Sequence, residues 1–289
     1  MNLSLRALGV VGSVVRWIVG TASVWTLAGA FSFARADEPE KATPPDPLRE
    51  IYREDAERCS FSTARGEPLK LANESIMRWS TDDDWSGDVF VWMREKQPEV
   101  IGCIMSGPTN DSLRKVVHEF HLLAETPIGP AVVQNGRRWK PAQGLKRERL
   151  ADAPPPASSA AARLVQMRQI ARGFTATMEF DGRWELRLLP QPLLRYGDEQ
   201  GEAADGALFC YVWPKGTDPE LVLLVESRRD DQELAWHFAP VRFTTRELWL
   251  SRNGREEWHG EPHQETDRLS TMLYTVDTAR EISKPMASR

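Results

Sequence analysis

Two apolar hairpins dominate the pattern of the chain. Residues 206–213 are almost unbroken apolar sequence, turn through Lys215-Gly216-Thr217-Asp218-Pro219-Glu220, and return as 221–225. Residues 87–92 do the same through Lys96-Gln97-Pro98-Glu99 into 100–104. Apolar runs without alternation predict strands covered on both faces. Each hairpin follows a helical period. Asp46 is placed to cap, and Pro47 to begin, a helix running to about Arg58, with Leu48, Ile51, Tyr52, Ala56 and Cys59 on one face. Ser158 or Ser159 caps a second helix whose buried stripe is Leu164, Met167, Ala171 and Phe174. Strands are predicted at about 70–72, 76–80, 88–94, 99–106, 116–124 and 131–140, then at 176–180, 184–189, 193–196, 207–213, 221–227, 233–240 and 247–259. Asn135-Gly136 and Asn253-Gly254 split the last strand of each series, because both residues of such a pair tolerate positive φ in a tight turn.

The order linker, helix, strands therefore occurs twice, and single residues match across the halves at shifts of 116 to 121. Arg78 meets Arg195, and Gly87, Phe90 and Lys96 meet Gly206, Phe209 and Lys215. Pro98, Glu99 and Ser106 meet Pro219, Glu220 and Ser227. His121 meets His237, the triplet Asn135-Gly136-Arg137 meets Asn253-Gly254-Arg255, and Trp139 meets Trp258. Two hydrophobic hairpins alone would not produce a co-linear series of Gly, Pro-Glu, Asn-Gly-Arg and Trp, so an internal duplication is predicted. The expected fold is α+β, with two pseudo-repeated units, each one helix plus a curved antiparallel β-sheet, packed together over a joint core. The units fall at 47–150 and 160–261, separated by a Pro/Ser linker at 151–159 and followed by a polar, irregular, mobile tail at 262–289.

The first 36 residues read as a signal peptide, with Arg6, an apolar run from about Trp17 to Phe33, and Ala34-Arg35-Ala36 as a small-x-small cleavage site. An uncleaved anchor is the alternative, since some 18 weakly polar residues follow Arg16. A Pro-rich linker spans 37–46. Three of the 37 Lys and Arg residues and none of the 42 Asp and Glu residues lie before Asp37, which leaves the mature chain near −8. With no clustered basic footprint, nucleic acid is not expected as a partner, and no stable membrane span remains after cleavage. The three cysteines are too few for a disulfide scaffold; Cys103 and Cys210 sit in apolar runs, as small buried hydrophobes do.

Candidate chemistry is sparse. His118-Glu119-Phe120-His121 resembles a zinc-protease signature only superficially, because its histidines are three apart in a strand and point to opposite faces. His121 and His237 match across the halves, so a pseudo-twofold axis would bring them together to begin a metal or acid-base site; two exposed strand histidines are the plainer reading. His259 and His263 are four apart, but Gly260 and Pro262 argue against the helix that this spacing needs. The stretch 82–87, Asp-Asp-Asp-Trp-Ser-Gly, opens like a calcium loop, yet Met93 stands where the bidentate glutamate belongs, leaving a solvated acidic turn. No nucleophile elbow, phosphate loop or dinucleotide fingerprint occurs, and no cofactor is expected. Nine of the 11 tryptophans follow the leader, and the four at matching positions, Trp79, Trp92, Trp139 and Trp258, read as core packing ahead of a ligand groove.

Three stretches, 186–193 (Leu-Arg-Leu-Leu-Pro-Gln-Pro-Leu), 205–209 (Asp-Gly-Ala-Leu-Phe) and 216–220 (Gly-Thr-Asp-Pro-Glu), resemble a group of secreted planctomycete-type bacterial proteins. The likeness covers about 160–258 and, more loosely, 76–139, and departs from the group at Cys210 and Trp213. It implies an exported bacterial protein and brings no catalytic residue. The expected function is a non-catalytic binding or interaction protein of the cell envelope, with its ligand surface between the two units. The alternatives are a carrier holding an apolar ligand in a sheet-enclosed cavity, or a hydrolase or metal enzyme using His121 and His237.

Overall fold

The computed structural model describes residues 46–133, 136–197, 204–230, 233–264 and 269–285. The expected leader, and the linker up to Asp46, lie outside the described residues. Within them the chain is a mixed α+β protein with two helices and mostly antiparallel strands. Helix α1 (Pro47–Arg58) starts where the capping chemistry places it: the Asp46 carboxylate accepts from the Leu48 amide, and Pro47 fills the first turn. It is followed by β1 (Lys70–Leu71), β2 (Met77–Ser80), β3 (Ser86–Arg94), β4 (Gln97–Pro108), β5 (Leu113–Leu122), β6 (Ala131–Val132), β7 (Arg138–Trp139) and β8 (Glu148–Arg149). Helix α2 (Ala160–Arg172), capped by the Ser159 hydroxyl, precedes β9 (Phe174–Glu179), β10 (Arg183–Glu185), β11 (Arg187–Leu188), β12 (Leu194–Tyr196), β13 (Asp205–Val212) and β14 (Pro219–Asp230). The chain ends in β15 (Glu233–Arg242), β16 (Leu248–Arg252), β17 (Arg255–Gly260), β18 (Leu269–Ser270) and β19 (Tyr274–Ser283).

Two six-stranded sheets form the body. The first runs β1-β3-β4-β5-β19 with β2 also on β3; the second runs β11-β13-β14-β15-β8 with β12 also on β13. Both apolar hairpins thus supply inner strands. Side chains alternate along them, so each strand feeds two cores. On β4, Ile101 and Cys103 join Leu208, Cys210, Val222, Leu224, Ala239 and Val241 of the second sheet in one buried cluster. Val100 and Ile104 point the other way, to Tyr52 and Ala56 of α1. On β14, Val222 and Leu224 face the first sheet, while Leu221, Leu223 and Val225 face Met167 and Ala171 of α2. A four-stranded sheet, β10-β9-β16-β17, shares that side through Ala176, Met178, Leu248 and Leu250. The layers are therefore α1, first sheet, second sheet, and α2 with the four-stranded sheet.

Each helix is also fixed by buried polar contacts with its sheet. The Tyr52 hydroxyl lies 2.6 Å from Ser106 Oγ, and Asp55 Oδ2 lies 2.8 Å from His118 Nε2 and bonds Arg280 of β19 as well. Those two partners hold the Asp55 carboxyl below its ordinary range, against the opposing effect of burial, which is the largest single influence. On α2 the polarity is reversed: Arg163 reaches Asp205 of β13, whose other oxygen takes Arg195.

Three sequence expectations change. Leu164 is only half-buried, and Arg163 and Ile170 join Met167 and Ala171 on the inner face of α2, while Phe174 belongs to β9. The tail expected to be irregular contains β19, which pairs with β5 along its length from Tyr274↔His121 to Ser283↔Leu113. Its alternation is blurred by a bulge between Thr278 and Arg280 and by polar side chains suited to an edge strand. Conversely, Glu148–Arg149, placed in the first unit, pairs with His237 and Phe238 in the second sheet. Asn253 and Gly254 have φ of 52° and 78°, as the predicted tight turn requires; Asn135 lies outside the described residues. No helix among the described residues is long and apolar enough to cross a membrane.

Because Leu224 is 1% exposed and lies where both sheets contribute side chains, Leu224→Ala is expected to cost about 2–5 kcal/mol in urea unfolding. Fluorescence and circular dichroism should report one coincident transition; two separated transitions would show that the sheets do not share a core.

Candidate functional site

Beside their common core the two large sheets leave a cavity of about 470 Å³. The first sheet contributes Glu119 of β5 and Tyr274 of β19; the second contributes Asp218 and Glu220 at the start of β14. Thr244 and Arg246, just after β15, and the indoles of Trp79 and Trp85 complete the part that matters chemically. Strand period explains the placement. Glu119 shares the inward face of β5 with Val117 and His121, and Glu220 shares the inward face of β14 with Val222 and Leu224.

Burial raises all three of these acids above their ordinary range. Glu119 is 3% exposed, and loss of water pushes its carboxyl up to about 8, even though the Tyr274 hydroxyl donates to Glu119 Oε2 at 2.6 Å. Desolvation raises Glu220 well above the ordinary carboxylate range, and the neighbouring Asp218 charge adds to the effect. Asp218 is raised too, chiefly by desolvation, while its carboxyl hydrogen-bonds to that of Glu220. Two carboxyls in that relation hold a proton between them. Arg246 Nη1 stands 3.5 Å from Glu220 Oε1, and Asp218 Oδ1 is buried without a hydrogen-bond partner.

A second inward-facing glutamate shows what a purely structural acid looks like in this layer. Glu226 of β14 also receives a tyrosine hydroxyl, from Tyr196 at 2.7 Å, but Arg147 at 3.1 Å and Arg228 at 3.3 Å neutralise it. Glu99, the sequence match of Glu220, is likewise paired, 2.7 Å from Arg94. Glu119 has a tyrosine and no ion pair among the described residues, which sets it apart from those salt-bridged positions.

The histidines singled out in the sequence do not form this site. His118 points to α1 and Asp55, as its parity in the strand predicts. His121 faces inward, where its Nδ1 bonds the Leu122 carbonyl at 2.8 Å and its ring lies 6.4 Å from Tyr274. Desolvation lowers it to about 4, so it is neutral at pH 7. His237 lies 3.3 Å from Asp230 in the second sheet. Their strand registers also differ: His121 stands opposite Ile101, two residues past Glu99, whereas His237 stands opposite Glu226, six residues past Glu220. The sequence match at these histidines is therefore not a match in register. Among the described residues, the metal-capable group whose ligand atoms lie within 4.8 Å of one another is Glu247, His259 and Glu261, and it contains neither. There His259 Nε2 meets Glu247 at 2.7 Å and Nδ1 lies 3.7 Å from Glu261, so the ring sits between two carboxylates. In the acidic turn, Asp84 is paired with Arg114 and Lys284. Cys59, Cys103 and Cys210 are free and buried; burial raises Cys59 to about 12 and holds the other two well above the ordinary thiol range, which leaves inert thiols.

The sequence pattern singled out Glu119 only inside a discarded motif, Asp218 only as a turn residue, and Glu220 only as a turn residue and the match of Glu99. A carboxylate on the inward parity of an apolar strand was the available signal; Tyr274, in the supposed tail, had none. No protein-family model, curated protein or solved structure matches the chain.

Proton linkage gives a direct test. A carboxyl with a raised folded pKa stabilises the fold fully below its unfolded value, and that contribution disappears as pH rises through its folded value. For Glu119 the window runs from 4.5 to about 8. His121, lowered from 6.5 to about 4, acts oppositely, its contribution growing as pH rises between those values. Above 6.5 the Glu119 effect is no longer opposed by His121. Urea unfolding from there to about pH 8 should show stability falling by up to about 1.4 kcal/mol per pH unit for one such group. Glu119→Gln should flatten that slope; an unchanged slope would remove Glu119 from the account.

Proposed function

We propose that this chain is a binding protein that takes a small, uncharged, polyhydroxylated ligand in the cavity between its two large sheets, and that it works in the cell envelope or outside the cell after cleavage near Ala36. The observation that carries the reading is the convergence of three buried carboxyls, Glu119, Asp218 and Glu220, on one cavity, each raised above its ordinary range chiefly by loss of water, with Arg246 as the cation beside Glu220. A protonated carboxyl both donates and accepts a hydrogen bond, which is what a hydroxyl asks of its partner. Trp79 and Trp85 supply the apolar wall that a sugar-like ring packs against, and about 470 Å³ falls within the range of small-ligand sites. The side chains that fill the layer between the sheets speak against enclosure of an apolar ligand.

The two helix-plus-sheet halves are, on this proposal, diverged copies of one unit packed about a pseudo-twofold axis. Supporting this, Leu123 N bonds Glu99 O and Phe243 N bonds Glu220 O, each at 2.8 Å, and both side chains enter the central cluster. In that register Ala239 stands opposite Leu224 as Glu119 stands opposite Cys103, so the cavity arises where the copies differ. The proton shared by Asp218 and Glu220 favours one further reading, a carboxyl-based hydrolase acting on a glycoside.

Calorimetric titration of the protein below neutrality with monosaccharides, disaccharides and polyols tests both. Saturable binding should weaken as pH rises through about 8, and Glu220→Ala should lose at least about tenfold in affinity. Absence of binding across the panel at millimolar concentration would end the proposal. Release of free sugar from aryl glycosides, abolished by Glu220→Ala, would replace binding with catalysis.

A further inference from the structure

The outer side of the second sheet carries a separate cavity of about 510 Å³, bounded by the last turns of α2, β9, β11 and β13. Its floor is apolar, made by Leu186, Leu188, Phe209 and Tyr211, and Tyr211 spends its hydroxyl on the Ala171 and Phe174 carbonyls at 3.1 Å each. Its rim is cationic. Arg168 and Arg172 project from α2, Arg187 comes from β11, and the acid in the lining is Glu185.

These three guanidinium groups differ from the buried arginines elsewhere. Arg114, Arg147 and Arg163 each meet a carboxylate. Among the described residues Arg168, Arg172 and Arg187 form no ion pair: Arg168 reaches the Gln191 side chain and Arg187 the Gly216 carbonyl at 3.2 Å. Arg168 Nε is buried and has no hydrogen-bond partner. Arg168 and Arg172 stand four apart on one helix, where like charges repel. A buried unpartnered donor and like charges gathered over one hollow both cost free energy, and an anion placed among them offsets both.

We propose that this cavity is a second binding site, for a small amphiphilic anion whose carboxylate or phosphate monoester sits on Arg168, Arg172 and Arg187 while its apolar body lies on the Leu186–Tyr211 floor. Guanidinium forks match both headgroups in bidentate geometry. The site is independent of the carboxyl cavity, which lies on the inner face of the same sheet.

Titration of the protein with octanoate, octyl phosphate, inorganic phosphate and octanol tests this. One saturable site is expected for octanoate or octyl phosphate, weakening with added salt, with octanol and inorganic phosphate each at least about tenfold weaker. Which alkyl anion binds more tightly identifies the headgroup. Arg168→Gln and Arg187→Gln should each weaken the anion at least about tenfold and leave octanol unchanged. Arg172→Glu, at an exposed position and with its fold checked by circular dichroism, should do the same, while Glu220→Ala should have no effect. The proposal is overturned if octanol binds as tightly as octanoate and octyl phosphate, if inorganic phosphate matches octyl phosphate, if neither alkyl anion binds at millimolar concentration, or if Arg172→Glu leaves the affinity intact.

Discussion

The mutual burial of two sheet faces is the constraint on which the rest of this protein depends. Once β3–β4 and β13–β14 are covered by each other, their outer faces still need cover, and α1, α2 and the four-stranded sheet supply it. Backbone polar groups in such a layer are met by the strand ladders. Side-chain charges have no such provision, so every acid that enters must be paired or must keep its proton.

Both solutions occur, and they divide structure from candidate function. Asp55, Asp205, Glu99 and Glu226 are matched with arginine or histidine and serve to fix a helix or a sheet edge. Glu119, Asp218 and Glu220 stand where the layer opens, and burial without a full complement of cations raises all three carboxyls above their ordinary range. The same physics that makes an unpaired carboxyl expensive in a core makes it a hydrogen-bond donor in a cavity. The rim of the outer cavity shows the complementary case, arginines that form no ion pair among the described residues.

Strands contributed out of sequence tie the layers together. β19 returns from the end of the chain to complete the first sheet, and β8 leaves the first half to border the second. Tyr274, which bonds Glu119 and lines the cavity, is in place because of that return. The carboxyl cavity therefore draws on the first sheet, the second sheet and the C-terminal strand together.

What the sequence determined by itself was local. Asp46-Pro47 and Ser159 start the helices, Asn253-Gly254 makes its turn, and the unbroken apolar runs become strands buried on both faces, because capping, φ tolerance and strand period act within a few residues. Parity likewise sent His118 and His121 to opposite faces. Tertiary structure decided the partners. That Glu226 is neutralised and Glu119 is not, that His121 and His237 fall out of register, and that a polar tail becomes the edge of a sheet all depend on which strands lie side by side. Pairing across more than 100 residues leaves no trace in local pattern, and desolvation, which sets the chemistry of the cavity, is a property of the packed layers alone.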